Sequence, residues 1–203
     1  SNKLFYKIKH EYEWIIYVDV DEFIATKKNF NKTIRDELFS ISKISPEKKL
    51  ILAPWVMMSG IKNKKNPESV LRSILYRWNH DIKHPYPVKK FGCRYLETFC
   101  KSIFKPKYFD YIRDHVPICN NATQIYYNGV DLSPKRLKDD KFLKLRNNDI
   151  NSGYFLCYHY RYISKEHANQ KLKTNGWYIN DNYTLKDLQA SYAEIYDNTF
   201  LKK

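Results

Sequence analysis

Residues 14–24 read Trp-Ile-Ile-Tyr-Val-Asp-Val-Asp-Glu-Phe-Ile, a β-branched and aromatic run that stops at three carboxylates, Asp19, Asp21 and Glu22. The apolar part predicts a buried strand over 13–19 that delivers acid groups to its own C-terminal edge. Side chains at i and i+2 share one side of a strand, so Asp19 and Asp21 are expected to converge on one point. Two carboxylates that close repel unless a cation joins them, and hard oxygen ligands suit Mg²⁺ or Mn²⁺. Open α/β sheets bind ligands in the crevice outside the carboxyl ends of their strands. The stretch therefore points to a divalent metal holding a phosphorylated substrate. An arbitrary Asp-x-Asp is more often a solvated turn or a helix cap. Here Phe23 and Ile24 resume the apolar pattern at once, which ties the turn to a core.

The 203 residues fit one domain, 1–203, with enough chain for a sizeable core. A formal net charge of +14 implies attraction to polyanions: nucleic acid, an anionic membrane surface or diphosphate-bearing substrates. Lysine is scattered along the chain, whereas nucleic-acid modules concentrate basic residues on one element. Cys93, Cys100, Cys119 and Cys157 lack metal-site spacing and read as reduced core thiols, which favours a reducing, cytoplasmic compartment. No stretch reaches the roughly 20 apolar residues of a membrane span, and the N-terminus lacks a signal peptide's apolar core. A basic, aromatic-rich surface still permits peripheral membrane contact.

Outward from the acid motif, residues 2–12 read as the end of a helix, and Thr33 as the cap of a helix running to about Ser42. Residues 49–57 predict a strand whose Pro54 argues for an edge or a bulge. Residues 70–78 fit helix or strand, and 80–87 a loop. Strands are expected from Thr98 to Pro106, at 123–127 and at 154–160, and helices at 164–173, capped by Ser164, and at 184–197.

Four separated pieces resemble one family. Trp14 to Ile24 resembles the Asp-x-Asp-Glu-Phe signature of nucleotide-diphospho-sugar glycosyltransferases, in particular family 92 and its family 2-like relatives. Ala53-Pro54-Trp55-Val56, then Lys101-Ser102-Ile103-Phe104-Lys105-Pro106 with His115, then Tyr158-His159-Tyr160-Arg161 with Ser164-Lys165, look like that family's later segments in order. Tyr192 to Phe200 is similar to its C-terminal end. The resemblance implies an α/β, GT-A-like mixed sheet flanked by helices, here partial. Enzymes of that fold place a nucleotide-binding βαβ region before the acidic motif, and only 18 residues precede Asp19. Much of that region is therefore expected to be missing from this chain.

The resemblance also implies roles. Asp19 lies toward the ribose and metal, Asp21 is the principal metal ligand, and His159 is a candidate third ligand for Mn²⁺ or Mg²⁺. The other reading of His159 is a core histidine hydrogen-bonded among tyrosines. Lys101, Arg161 and Lys165 are candidate phosphate contacts. Trp55 and Trp78 could stack on acceptor sugars or fill the core, and core is the better reading of Trp55. The implied reaction is an inverting transfer from a nucleotide-sugar, UDP-sugar favoured, to a glycan or glycolipid acceptor. Asp114, His115 and Glu97 are the unranked candidates for its base, although Asp114 and His115 also read as a surface turn.

Two rivals are set against this. A haloacid-dehalogenase-type phosphatase also opens on a strand and Asp-x-Asp, but Glu22-Phe23 replaces its small residue and Thr. A nucleic-acid-binding module without catalytic activity would use the positive charge and interleaved tyrosines; nucleic acid is the less favoured partner.

Overall fold

The computed structural model describes residues 2–29, 31–60, 62–82, 93–94, 97–113, 115–120, 124–136, 143–185 and 194–201, excluding the side chains of 93, 94, 97 and 194. The strands are β1 (Ile15–Tyr17), β2 (Glu22–Ala25), β3 (Leu50–Ser59), β4 (Tyr76–Trp78), β5 (Cys93–Arg94), β6 (Glu97–Thr98), β7 (Cys100–Phe104), β8 (Tyr111–Arg113), β9 (Val116–Ile118), β10 (Ile125–Asn128), β11 (Pro134–Arg136), β12 (Leu143–Lys144), β13 (Leu156–Tyr162) and β14 (Glu194–Tyr196). The helices are α1 (Asn2–Ile8), α2 (Ile34–Ile44), α3 (Val70–Ser73), α4 (Asn147–Ser152), α5 (Lys165–Thr174) and α6 (Gly176–Asn180). The protein is thus α/β, with a large mixed sheet flanked by helices.

β3 is the axis of that sheet. It pairs antiparallel with β7 over Leu50–Pro54, parallel with β10 at Ile51 and Leu52, parallel with β13 from Trp55 onward, and antiparallel with β4 at Met58. Nine of its ten residues are buried, as a strand covered on both faces requires. Pro54 therefore stands in a central strand, contrary to the edge or bulge its sequence suggests. The Trp55 N–H donates to the Phe99 carbonyl on the β7 side, so residue 54 faces away from β7. There β10 pairing ends at Leu52 and β13 pairing begins at Trp55. The missing N–H of proline falls in that gap. Gly129 closes the same gap: its N–H donates to the Leu52 carbonyl, its carbonyl accepts from Phe155 N–H, and a Cβ there would lie 2.4 Å from the Phe155 oxygen.

Flanking elements follow local sequence logic. Thr33 caps α2 in a reciprocal box with Asp36, and Leu38 and Ile41 of that helix enter the core with Ile51, Trp55 and Ile103. Ser164 caps α5 by accepting from the His167 N–H. Residues 70–78, which fit either period, divide into α3 and β4. The helix expected at 184–197 is corrected at its C-terminal end. Residues 194–196 are a strand against β4, with Ile195 opposite Arg77, and the adjacent Asp197 is drawn to the Arg77 guanidinium. The loop expected at 80–87 falls mostly outside the described residues. Cys100 and Cys157 are buried free thiols, as expected, and Cys119 is half-buried. No described helix is long and apolar enough to cross a membrane.

Candidate active site

Register brings the candidate residues onto one face of the sheet. Paired residues share a face, so Lys101 opposite Ala53, Cys157 opposite Trp55, His159 opposite Met57 and Glu22 opposite His159 all lie together. The acid stretch joins β1, the partner of β7, to β2, the partner of β13. It does so as a turn, closed by a hydrogen bond from Glu22 N–H to the Asp19 carbonyl. The expected strand ends at Tyr17, so the period-2 rule does not govern Asp19 and Asp21. The two acids do not converge; the turn sends them to different partners.

Asp19 turns toward β7. Its Oδ2 accepts from Lys101 Nζ at 2.7 Å, while its own N–H donates to Glu22 Oε2 at 2.8 Å. Lys101 is fully buried and lies 3.0 Å from Glu22 Oε2 and 2.8 Å from His115 Nδ1. Burial raises the Glu22 carboxyl above its usual value, against the pull of the Asp19 N–H and Lys101. Asp21 turns toward β13 and α5. Its Oδ2 accepts from Lys171 Nζ at 2.8 Å and its Oδ1 lies 3.7 Å from His159 Nε2. Burial would raise this carboxyl, but the Lys171 ammonium and its hydrogen bond help to hold it below the ordinary aspartate value. His159 is buried, packs its ring on Trp55 at 4.3 Å between centroids, and is driven toward the neutral form by burial, Asp21 opposing. Its Nδ1 is buried without a hydrogen-bond partner among the described residues, so the alternative reading, a core histidine bonded among tyrosines, is not seen there.

The remaining sequence candidates divide. Arg161 is buried, donates from Nε to the Tyr178 hydroxyl and lies over the Trp177 ring. Lys165 is exposed at the start of α5. Trp55 and Trp78 are 8% and 6% exposed, so both are core residues; the acceptor-platform reading is corrected, because neither offers an open face. His115 sits in the turn between β8 and β9 beside Lys101. Asp114 and the side chain of Glu97 lie outside the described residues. Lys171 and Tyr178 are the site residues that sequence reasoning missed, and Glu22 was named in the acid run without a role. Only Glu22, inside the acid run, carried a local signal; Lys171 is one lysine among many.

The metal set changes accordingly. Among the described residues no three His, Cys, Asp or Glu side chains gather closely enough to enclose an ion, so the expected Asp19–Asp21–His159 triad is not assembled. Asp21 and His159 still face each other with one hard oxygen and one imidazole nitrogen on a buried wall. That pair fits an open site, since Mg²⁺ is commonly held by one or two protein groups and completed by phosphate oxygens and water.

Residues 3–196 match the family model described as glycosyltransferase family 92. No curated protein matches the chain.

Proposed function

The chain belongs to glycosyltransferase family 92 and is a glycosyltransferase; from that premise we propose that it performs a metal-dependent, inverting transfer at the Asp19–Glu22 turn, on a GT-A-like frame. The donor is a nucleotide-diphosphate sugar, UDP-sugar favoured, and the acceptor a glycan or glycolipid. The observation that carries this reading is the Asp21–His159 pair, 3.7 Å apart, beside a partly exposed Lys171. A neutral imidazole and an ionised carboxylate are the protonation states that metal ligation needs.

Asp21 and His159 would hold Mn²⁺ or Mg²⁺, and Asp19, turned toward Lys101, would lie toward the ribose. The ion supplies Lewis-acid neutralisation of the departing diphosphate without protonation. Lys171 adds a positive charge next to that developing anion, where a cation helps most in the transition state. Arg161, held by Tyr178, and Lys165 are further candidates for phosphate oxygens. The acceptor hydroxyl oxygen bonds to the anomeric carbon from the face opposite the diphosphate. The old C–O bond breaks, its electrons leave with the nucleoside diphosphate, and the acceptor proton passes to a base.

The test is transfer from a panel of UDP- and GDP-sugars to oligosaccharide and glycolipid acceptors, with Mn²⁺ or EDTA, and NMR assignment of the product anomer. Inverted product that vanishes in EDTA is expected. Retained configuration or EDTA-insensitive transfer would overturn the mechanism. Nucleic-acid binding that collapses with salt, ignores Asp21→Ala and comes without any transfer would favour the polyanion-binding alternative.

A further inference from the structure

Trp177, the second residue of α6, is 52% exposed, at odds with the deep average burial of tryptophan. Its ring is nonetheless held by three neighbours. The Arg161 guanidinium lies 5.2 Å from the ring centre, and the Tyr178 and Tyr183 rings lie at 5.2 and 5.3 Å. Arg161 Nε donates to the Tyr178 hydroxyl at 2.9 Å, and Asn175 Oδ1 accepts from the Trp177 N–H at 3.0 Å, which fixes the backbone of the turn. A ring ordered in this way loses little freedom when a ligand covers it. A Cβ at Gly176 would meet nothing within 4 Å, so the start of α6 borders open space.

The exposed ring is joined to the acid turn. Lys171 Nζ donates both to Asp21 Oδ2 at 2.8 Å and to the Arg161 carbonyl at 3.2 Å, so Asp21, Lys171, Arg161 and Trp177 form one run of contacts out to the α6 surface. β13 takes over from β10 on the edge of β3 opposite β7. Asp19, bonded to Lys101 of β7, and Asp21, bonded to Lys171, therefore turn toward opposite edges. With the nucleoside on the Asp19 side, the sugar end of the donor opens toward α6.

We infer that Trp177 is the acceptor platform of the transfer site, where a pyranose ring of a glycan acceptor stacks on the indole. The acceptor role rests on the transferase reading above; the affinity of the ring for a sugar does not. The surroundings fit that ligand. A pyranose has an apolar, slightly positive C–H face that suits the negative face of an aromatic ring, and hydroxyls that need partners at its rim. Asn175, Asn180, Asp181 and Asn182 are exposed around α6 and supply amide and carboxylate groups of that kind. Ile179 is also exposed, but it lies two positions on and does not share the face of Trp177. α6 thus does not offer the continuous apolar stripe that a membrane surface or a partner helix takes.

The test has two arms. The first is ¹H–¹⁵N NMR of the indole N–H groups in the native chain, which has four tryptophans, with the Trp177 signal assigned by its loss in Trp177→Phe. Millimolar gluco-, galacto- and manno-tetraoses are added in turn. At least one should shift the Trp177 signal and leave those of buried Trp55 and Trp78 in place; a Trp177 signal that no sugar moves would overturn the platform. Movement by UDP or GDP with Mn²⁺, and by no sugar, would reassign the ring to the nucleotide base and overturn it equally. The second arm is kinetics with a tetraose that the native chain glycosylates. Trp177→Ala should raise the acceptor KM about tenfold and Trp177→Phe about threefold, with the donor KM within about twofold of native, because a contact made in the ground state is lost from KM. An acceptor KM unchanged in Trp177→Ala would sink the acceptor role while leaving the donor site and the family reading standing. Absence of transfer by the native chain would count against the proposed function, and the NMR arm decides sugar binding in either case.

Discussion

Two carboxylates in this protein sit among cations, and they are built differently. Asp197 is sealed: its side chain is 3% exposed, with Arg77 Nε at 3.0 Å, Lys27 Nζ at 3.1 Å, and the Thr199 N–H and hydroxyl closing its second oxygen. Asp21 is left open: Lys171, 21% exposed, holds one oxygen, and the other faces His159 at 3.7 Å, beyond hydrogen-bond length. The sealed acid ties the chain's C-terminal strand and Tyr158 to the core. On the proposed reading, the open one takes a ligand that the protein itself does not supply. On that same reading, completeness of hydrogen bonding, and not proximity to basic residues, separates the structural carboxylate from the functional one.

The sharpest way to break this contrast is to remove each acid. Asp197→Ala removes the carboxylate from buried Arg77 and half-buried Lys27, so it should cost about 3–5 kcal/mol of unfolding free energy in urea, with activity per folded molecule unchanged. Asp21→Ala should do the reverse, losing about 10²- to 10³-fold in kcat/KM. Its melting temperature should move by no more than about 4 °C. An Asp197 variant that melts normally but is inactive would invert the assignment.

The cations sharpen the comparison with smaller effects. Lys27→Met should cost about 1–3 kcal/mol, as loss of a charged hydrogen bond to a buried acceptor does. Lys171→Met should cost under about 1 kcal/mol, because water reaches that pair. Denaturant titrations of both variants decide the order.

Proton linkage gives the smallest and most specific test. Burial raises the Asp197 carboxyl, but Thr199 and Lys27 outweigh it and leave it depressed; its stabilisation is present above the unfolded aspartate value and lost as pH falls through the folded value. Glu22 is raised by burial above 4.5, so its contribution is present below the unfolded glutamate value and lost as pH rises through the folded one. Unfolding curves across the acid range should show Asp197→Asn flattening the low-pH loss and Glu22→Gln flattening the loss on the alkaline side of that range.

The apolar runs of the main strands, the Thr33 and Ser164 caps and the family's ordered segments were all legible in the sequence, because each is a local pattern. The middle of β3 was not. Pro54 is tolerated there only because two neighbouring strands leave a gap between them, a fact of topology. The acid run named the correct three residues but not their geometry: a closed turn at Asp19–Glu22 replaces the expected strand end and parts the two aspartates. Lys171 and Tyr178 reach the site from α5 and α6, and nothing in a lysine-rich sequence marks one lysine of a helix as facing an acid. β14 was taken for helix because its apolar residues are few and its partner, β4, lies over a hundred residues away.

The most direct test of the central claim is calorimetric titration of UDP, and of GDP, with Mn²⁺ or with EDTA, into the native chain and Asp21→Ala. Nucleotide binding that requires Mn²⁺ and disappears in the variant is the predicted result. Binding that persists equally in EDTA or in Asp21→Ala would contradict a metal-dependent donor site at the open acid.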